Sequence, residues 1–151
     1  MVIDKTLIRV RACRFVNPGE IFTWVNQQLC ESNQAGLFVT AWLVIIDLKS
    51  GLVEYVNAGH NPPLVALDGG EFAYLKQKSG FILAGLEGFA YETSSFQMSR
   101  GDRIFLYTDG VTEAMNRKDE LFGEKRLLEW MNLHRKETPE AVLHGLRGRI
   151  A

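Results

Sequence analysis

The run RIFLYTDGVTEAMN, Arg103 to Asn116, drives apolar and aromatic residues of strand character straight into a carboxylate, Asp109, with Gly110 behind it. A carboxylate at the end of a buried strand is held by the ladder that precedes it, and a neighbouring glycine lets an ion or ligand approach the backbone without meeting a side chain. Such a position suits a hard divalent cation. Mg²⁺ and Mn²⁺ take carboxylate oxygens, and phosphoryl hydrolysis commonly uses a pair of them to activate water and offset charge. The same position also suits a helix cap, the Asp109 side chain accepting backbone N–H groups of a helix that starts near Val111, and position alone favours the cap. Glu113 falls one helical turn beyond Asp109; it could join a site there, but it reads first as part of a solvated helix face.

A second unusual stretch is NAGHNPP, Asn57 to Pro63. A strand end, Gly59, His60 and an asparagine lead into two prolines that fix an extended loop. His60 could donate to a phosphate or act as an acid. A histidine alone in a loop is more often a hydrogen-bonded structural residue, and that reading is the stronger one from the residues. His134 and His144 stand in surface-type helical context, with no cysteine or carboxylate at ligand spacing, so they give no metal-site signal. No serine lies in a G-x-S-x-G context, and no glycine-rich phosphate cradle is present. Cys13 and Cys30 lack CxxC spacing and both fall in stretches that read as helix. They fit a reduced cytosolic compartment, as core or surface fillers.

The elements that must position these residues can be read from periodicity. Ile3, Leu7, Val10 and Cys13 recur at helical spacing. Asn17, Pro18 and Glu20 then supply a cap, a proline at the first helical position and an acidic third residue, ahead of an apolar face of Ile21, Phe22, Trp24, Val25 and Leu29. That predicts a helix to about Ser32. From Leu37 to Ile46 the chain turns β-branched and aromatic, which predicts a buried strand. Turn signals at Lys49 to Gly51, Asp68 to Gly70 and Ser99 to Asp102 predict three hairpins. Beyond Asp109, GEKRLLEWMNLHR carries Leu127, Leu128, Trp130 and Met131 on one helical face. Thr138, Pro139 and Glu140 open a last helix with Ala141, Val142, Leu143 and Leu146. Helices, then antiparallel strands, then helices describe an α+β fold with sheets covered by helices.

Composition sets outer bounds. At 151 residues, 46% hydrophobic and 23% charged, the chain has the make-up of one ordinary globular domain. Seventeen basic against eighteen acidic residues leave a net charge of −1, so no global field draws nucleic acid or anionic lipid. The apolar block at Leu37 to Ile46 is about half the roughly 20 residues that span a bilayer. The amino terminus, with Asp4, lacks the layout of a secretory signal. No nucleic-acid partner, no membrane partner and a cytoplasmic setting are expected.

Three blocks taken together, FVTAWLVIIDLKSGLVEYVNAGHNPPLVAL, MSRGDRIFLYTDGVTEAMN and ELFGEKRLLEWM, in this order, closely resemble the SpoIIE/RsbU-type branch of the metal-dependent PPM serine/threonine phosphatases. The AGH loop before prolines, GD before an apolar strand, and YTDGVTEA followed by FG are its hallmarks. The resemblance implies an αββα sandwich of antiparallel sheets flanked by helices. It also implies a Mn²⁺ or Mg²⁺ pair that activates water against phosphoserine or phosphothreonine. Carried over by motif, Asp109 matches a metal-ligating aspartate, while Gly59, His60 and Gly110 match active-site loops, with no catalytic role assigned to His60. Known substrates of the branch are phosphorylated anti-sigma-factor antagonists, and its phosphatase domain often follows a sensor or receiver domain.

The family also carries an upstream aspartate block and a final strand with a D-D-x-T-type motif, each giving a metal ligand. Neither occurs in this sequence, which runs from MVIDKTLIRVRA to LHGLRGRIA. The expectation is therefore a single partial phosphatase domain over 1–151, truncated at both ends and inactive alone, with a non-catalytic pseudophosphatase or regulatory binding module as the alternative. Unpaired sheet edges would favour a homo-oligomer.

Overall fold

A computed structural model of the chain describes residues 6–9, 17–33, 35–76, 80–116 and 118–150. Residues 6–9 are helical; Ile3, Val10 and Cys13 of the expected first helix lie outside the described residues. The labelled helices are α1 (Pro18–Ser32), α2 (Asp109–Thr112), α3 (Gly123–Leu133) and α4 (Pro139–Ile150). The strands are β1 (Ala41–Ile46), β2 (Leu52–Ala58), β3 (Leu64–Ala66), β4 (Ala73–Tyr74), β5 (Ser94–Gln97) and β6 (Arg103–Phe105). They fall into two compact units: the described residues up to His60 with those from Gly80 to Met98, and Asn61 to Lys76 with Ser99 onward.

In the first unit, Asn17 caps α1 as the sequence predicts, its Oδ1 accepting the Glu20 N–H at 3.0 Å, with Pro18 opening the helix. Ile21, Phe22, Val25 and Leu29 form the buried stripe of α1 and share a core with Val56, Ala58, Leu83 and Tyr91. Burying each such side chain stabilises by about 1.5–3 kcal/mol. The sheet beneath has the order β1-β2-β5, all antiparallel, with Ala41 opposite Ala58 and Ile46 opposite Val53. Between β1 and β2 the Asp47 carboxylate accepts the N–H groups of Lys49 and Ser50 at 2.8 and 3.3 Å, and Gly51 takes the left-handed φ of +75°. This is the tight turn predicted at Lys49 to Gly51.

Two expectations are corrected here. The buried strand expected from Leu37 is shorter and wetter: only Ala41–Ile46 forms the ladder, it pairs on one side with β2, and Ile45 and Ile46 are exposed. An edge strand has one flank without a neighbour to cover it. The third hairpin does not form, because β5 pairs with β2 while β6 pairs with β3. The SRGD turn explains the parting. Its Asp102 carboxylate accepts the N–H of Ser99 at 2.7 Å and that of Asp68 at 2.8 Å, which ties the turn to the β3–β4 connection rather than to β5.

The second unit has the strand order β4-β3-β6, antiparallel throughout, and β3 is buried along its length. The β3–β4 hairpin predicted at Asp68 to Gly70 is present. Leu127 and Met131 from α3 and Val142 and Leu146 from α4 complete a core with Leu64, Ala66, Phe72 and Tyr107. Asn132 bridges helix to hairpin, accepting the Phe72 N–H at 2.7 Å and donating to the Phe72 carbonyl at 3.0 Å.

Candidate functional site

Asp109 is delivered by β6, whose last ladder pair sets Phe105 against Leu64, followed by Leu106, Tyr107 and Thr108. Tyr107 anchors this passage. It is buried, stacked on Phe105 at 6.2 Å between ring centres and edge-on to Tyr74 at 6.5 Å. Its hydroxyl faces those of Tyr74 and the Asn61 amide without a well-formed hydrogen bond to either, and burial pushes that hydroxyl up from its ordinary pKa. Asn61 belongs to the NAGHNPP stretch, so inside the second unit the end of that loop stands beside the strand that carries Asp109. Sequence reasoning overlooked Tyr107 and Asn61 as a pair; the Tyr two positions before Asp109 was visible, its partner was not.

The capping role weighed for Asp109 is not what forms. The helix begins at Asp109 itself rather than near Val111, and Thr108 occupies the cap position without a side-chain cap bond. The Asp109 backbone carbonyl accepts the Glu113 N–H at 2.7 Å and the Thr112 hydroxyl at 3.2 Å. Its carboxylate is exposed and accepts no hydrogen bond among the described residues, so its oxygens are free for a cation. Glu113 is exposed at the far end of this one-turn helix. Gly110 is not sterically compelled, since a Cβ there would meet only Thr108 Oγ1, at 3.7 Å.

The AGH loop is built by a residue not singled out from the sequence, Asn57. Buried to 4% exposure, it donates from Nδ2 to the His60 carbonyl at 2.8 Å and accepts the His60 N–H on Oδ1 at 2.7 Å. Asparagine closing a turn on its own backbone three residues on is a known habit of that side chain. Gly59 has φ +69°, and a Cβ on it would stand 2.6 Å from Ile82 Cγ2, so glycine is required. The half-buried His60 is thus held through its backbone, and its ring makes no hydrogen bond among the described residues. Gly59 and His60 belong to the first unit, Asp109 and Gly110 to the second.

Among the described residues no group of three or more histidine, cysteine, aspartate or glutamate side chains could hold a metal ion. Asp109 fits as one oxygen ligand. The set around it does not fit a metal pair. His134 lies stacked on Trp130 at 3.8 Å, with Nδ1 2.9 Å from the Trp130 carbonyl, which is a structural use of that ring. Cys30 is a free thiol pushed up by burial and by Glu87. No helix is long and apolar enough to cross a membrane among the described residues.

Two antiparallel sheets, each packed by helices, with a strand that leads to an exposed aspartate, form an α+β phosphatase fold. The SiaA-PP2C domain of Pseudomonas aeruginosa shares it at a TM-score of 0.78 and 20% identity, over 99% of this chain and 60% of that one. The chain belongs to the family described as Stage II sporulation protein E (SpoIIE), whose sequence profile matches residues 1–151. It is similar to protein IcfG of Synechocystis sp., 31% identical over 123 residues that make up 80% of this chain and 19% of IcfG. It is also similar to the phosphoserine phosphatase RsbU of Bacillus subtilis, 24% identical over 98 residues, 65% of this chain and 29% of RsbU. The chain therefore spans less than a third of the length of either relative.

Proposed function

We propose that residues 1–151 form part of a single metal-dependent serine/threonine phosphatase domain. It acts on a phosphorylated regulatory protein in the cytoplasm, of the kind represented by anti-sigma-factor antagonists, under the control of an upstream sensor or receiver domain. The observation that carries the reading is the free, exposed Asp109 carboxylate at the start of α2, in the family motif YTDG. The similarity to a phosphoserine phosphatase supports the substrate class. Mn²⁺ or Mg²⁺ would be the cofactor, and Asp109 one of its ligands.

One exposed carboxylate holds a hydrated divalent ion weakly. This chain by itself is accordingly inactive. With p-nitrophenyl phosphate and added Mn²⁺, its turnover should equal that of Asp109→Asn and of buffer; robust turnover abolished by Asp109→Asn would sink the idea that its site is incomplete. The phosphatase reading has its own test in the flanking reading frame. An extended chain that includes the two aspartate blocks should gain Mn²⁺-dependent turnover, which Asp109→Asn then removes. The lack of a three-ligand group among the described residues favours one rival, a module that binds the regulator without hydrolysing it. An extended chain that binds but stays inert would establish that rival.

A further inference from the structure

An exposed aspartate in front of a glycine can react with its own backbone. The chain has two Asp–Gly steps, Asp68–Gly69 and Asp109–Gly110, and no Asn–Gly step. In this reaction the glycine nitrogen gives up its proton and bonds to the aspartate Cγ, while one carboxyl oxygen leaves as water. The product is a five-membered succinimide ring, and water then adds back to one of its two carbonyls. Opening at Cγ restores aspartate. Opening at the former backbone carbonyl leaves isoaspartate, in which the chain runs through the side chain and the old carbonyl carbon carries a free carboxylate. One water leaves and one returns, so the final mass is unchanged.

Ring closure is opposed where the carboxylate already accepts hydrogen bonds, where the next N–H is already donated, or where the next residue has a Cβ. Asp47 and Asp102 each accept two backbone N–H groups. Asp119 precedes Glu120, whose N–H donates to Asn116 Oδ1 at 3.1 Å. At Asp109 none of the three obstacles is present. Its carboxylate is exposed and accepts no hydrogen bond among the described residues. The Gly110 N–H is a first-turn donor with no intrahelical partner, Thr108 supplies no side-chain cap, and no other acceptor takes it among the described residues. Gly110 is itself exposed.

Asp68 and Gly69 are exposed too, so backbone conformation separates the two steps. Closure brings the glycine nitrogen alongside the aspartate Cβ, at a ψ well on the negative side. Asp109 opens α2, and from a helical ψ of about −42° the rotation is short. Asp68 has φ +53°, in the left-handed region where ψ is about +47°, so its nitrogen starts on the far side. The Asp68 N–H is also held by Asp102 at 2.8 Å, in a turn that the Gly70 N–H closes on the Leu67 carbonyl at 2.9 Å. What must open at Asp109 is only α2, a helix of 4 residues. A single helical turn is marginal on its own.

We propose that Asp109–Gly110 is a self-modification site, at which Asp109 converts through a succinimide to isoaspartate. The conversion adds one atom to the backbone, so α2 loses its register, and the carboxylate is moved from the place that β6 gives it. The exposed carboxylate of the candidate site is thus withdrawn with time and without a change of mass. This inference stands on the geometry of Asp109 and Gly110 and does not depend on the phosphatase reading.

The test incubates the whole 151-residue chain at neutral pH and physiological temperature, one sample folded and one in urea. Samples are digested over time, isoaspartate is located by electron-transfer fragmentation, and the succinimide is read as a peptide lighter by one water. In the folded chain isoaspartate should build up at 109 several-fold faster than at 68. In urea the two rates should converge, because the backbone difference is gone. Gly110→Ala places a Cβ that meets only Thr108 Oγ1 at 3.7 Å, so the fold should be kept by circular dichroism. Alanine holds a helix better than glycine, so this change should slow the reaction at 109 about fivefold or more. The folded and urea samples of the unchanged chain decide the matter even if that variant misfolds. No isoaspartate at 109, more at 68 than at 109 in the folded chain, the same ratio of the two in urea, or an unchanged rate in folded Gly110→Ala would each overturn the proposal.

Discussion

Asn57 and Asp109 show how differently two polar residues of one motif set can serve the molecule. The Asn57 side chain is buried and spends both its donor and its acceptor on the backbone of His60, so it holds the AGH loop in shape. Replacing it with alanine leaves the N–H and carbonyl of the half-buried His60 without these partners, at about 1 kcal/mol for each lost bond. The Asp109 carboxylate is exposed and holds nothing. Asp109→Asn is isosteric and removes only a favourable charge from the first turn of a short helix, worth less than about 1 kcal/mol. Urea unfolding should therefore place Asn57→Ala well below the parent chain and Asp109→Asn almost on top of it. A large loss for Asp109→Asn would mean that this carboxylate is structural, and the metal-ligand role would lose its basis.

Elements with strong local signals were legible in the sequence, and those decided by distant contacts were not. Helix α1 carries its own cap, proline and apolar stripe between Asn17 and Leu29, and it forms where these place it. The turns at Gly51 and at Asp68 to Gly70 likewise close on themselves. The Ser99 to Asp102 turn looks the same locally, yet Asp102 reaches the Asp68 N–H 34 residues away, a contact that no short window can reveal. The site was half legible for the same reason: YTDG marks Asp109, but the helix start at Asp109 and the Asn61–Tyr107 approach depend on packing. Burial along β1 was overread because apolar content says nothing about strand order. Ile45, Ile46 and Leu48 remain exposed at the edge of the β1-β2-β5 sheet. An exposed apolar edge recruits another strand. Sedimentation velocity at rising concentration should show reversible self-association, and Ile46→Lys, which places a charge on that edge, should suppress it. A strictly monomeric parent chain at high concentration would remove the edge-pairing idea.

At the scale of the whole molecule, both units bury tyrosine hydroxyls, and this makes stability fall on the alkaline side. In the first unit burial pushes Tyr91 up to about 12, and its hydroxyl donates to the Ile82 carbonyl at 3.2 Å. In the second unit burial raises Tyr74 and Tyr107, and Tyr74 donates to the Glu124 carbonyl at 2.8 Å. An unfolded tyrosine gives up its proton near pH 10. Between that pH and the folded value, the unfolded chain binds fewer protons than the folded one. Stability therefore falls as pH rises through the interval, and it is fully present below it. For Tyr91 the window runs from about 10 to about 12. The urea midpoint should hold steady from pH 8 to about 9.5 and then drop steeply. Tyr91→Phe loses the bond to Ile82, about 1 kcal/mol at neutral pH, but no longer has a proton to lose. Its midpoint should start lower and decline less between pH 10 and 12, so that the two curves converge. Parallel curves would show that Tyr91 ionises as freely in the folded chain as in the unfolded one, and the account of its burial would have to be given up.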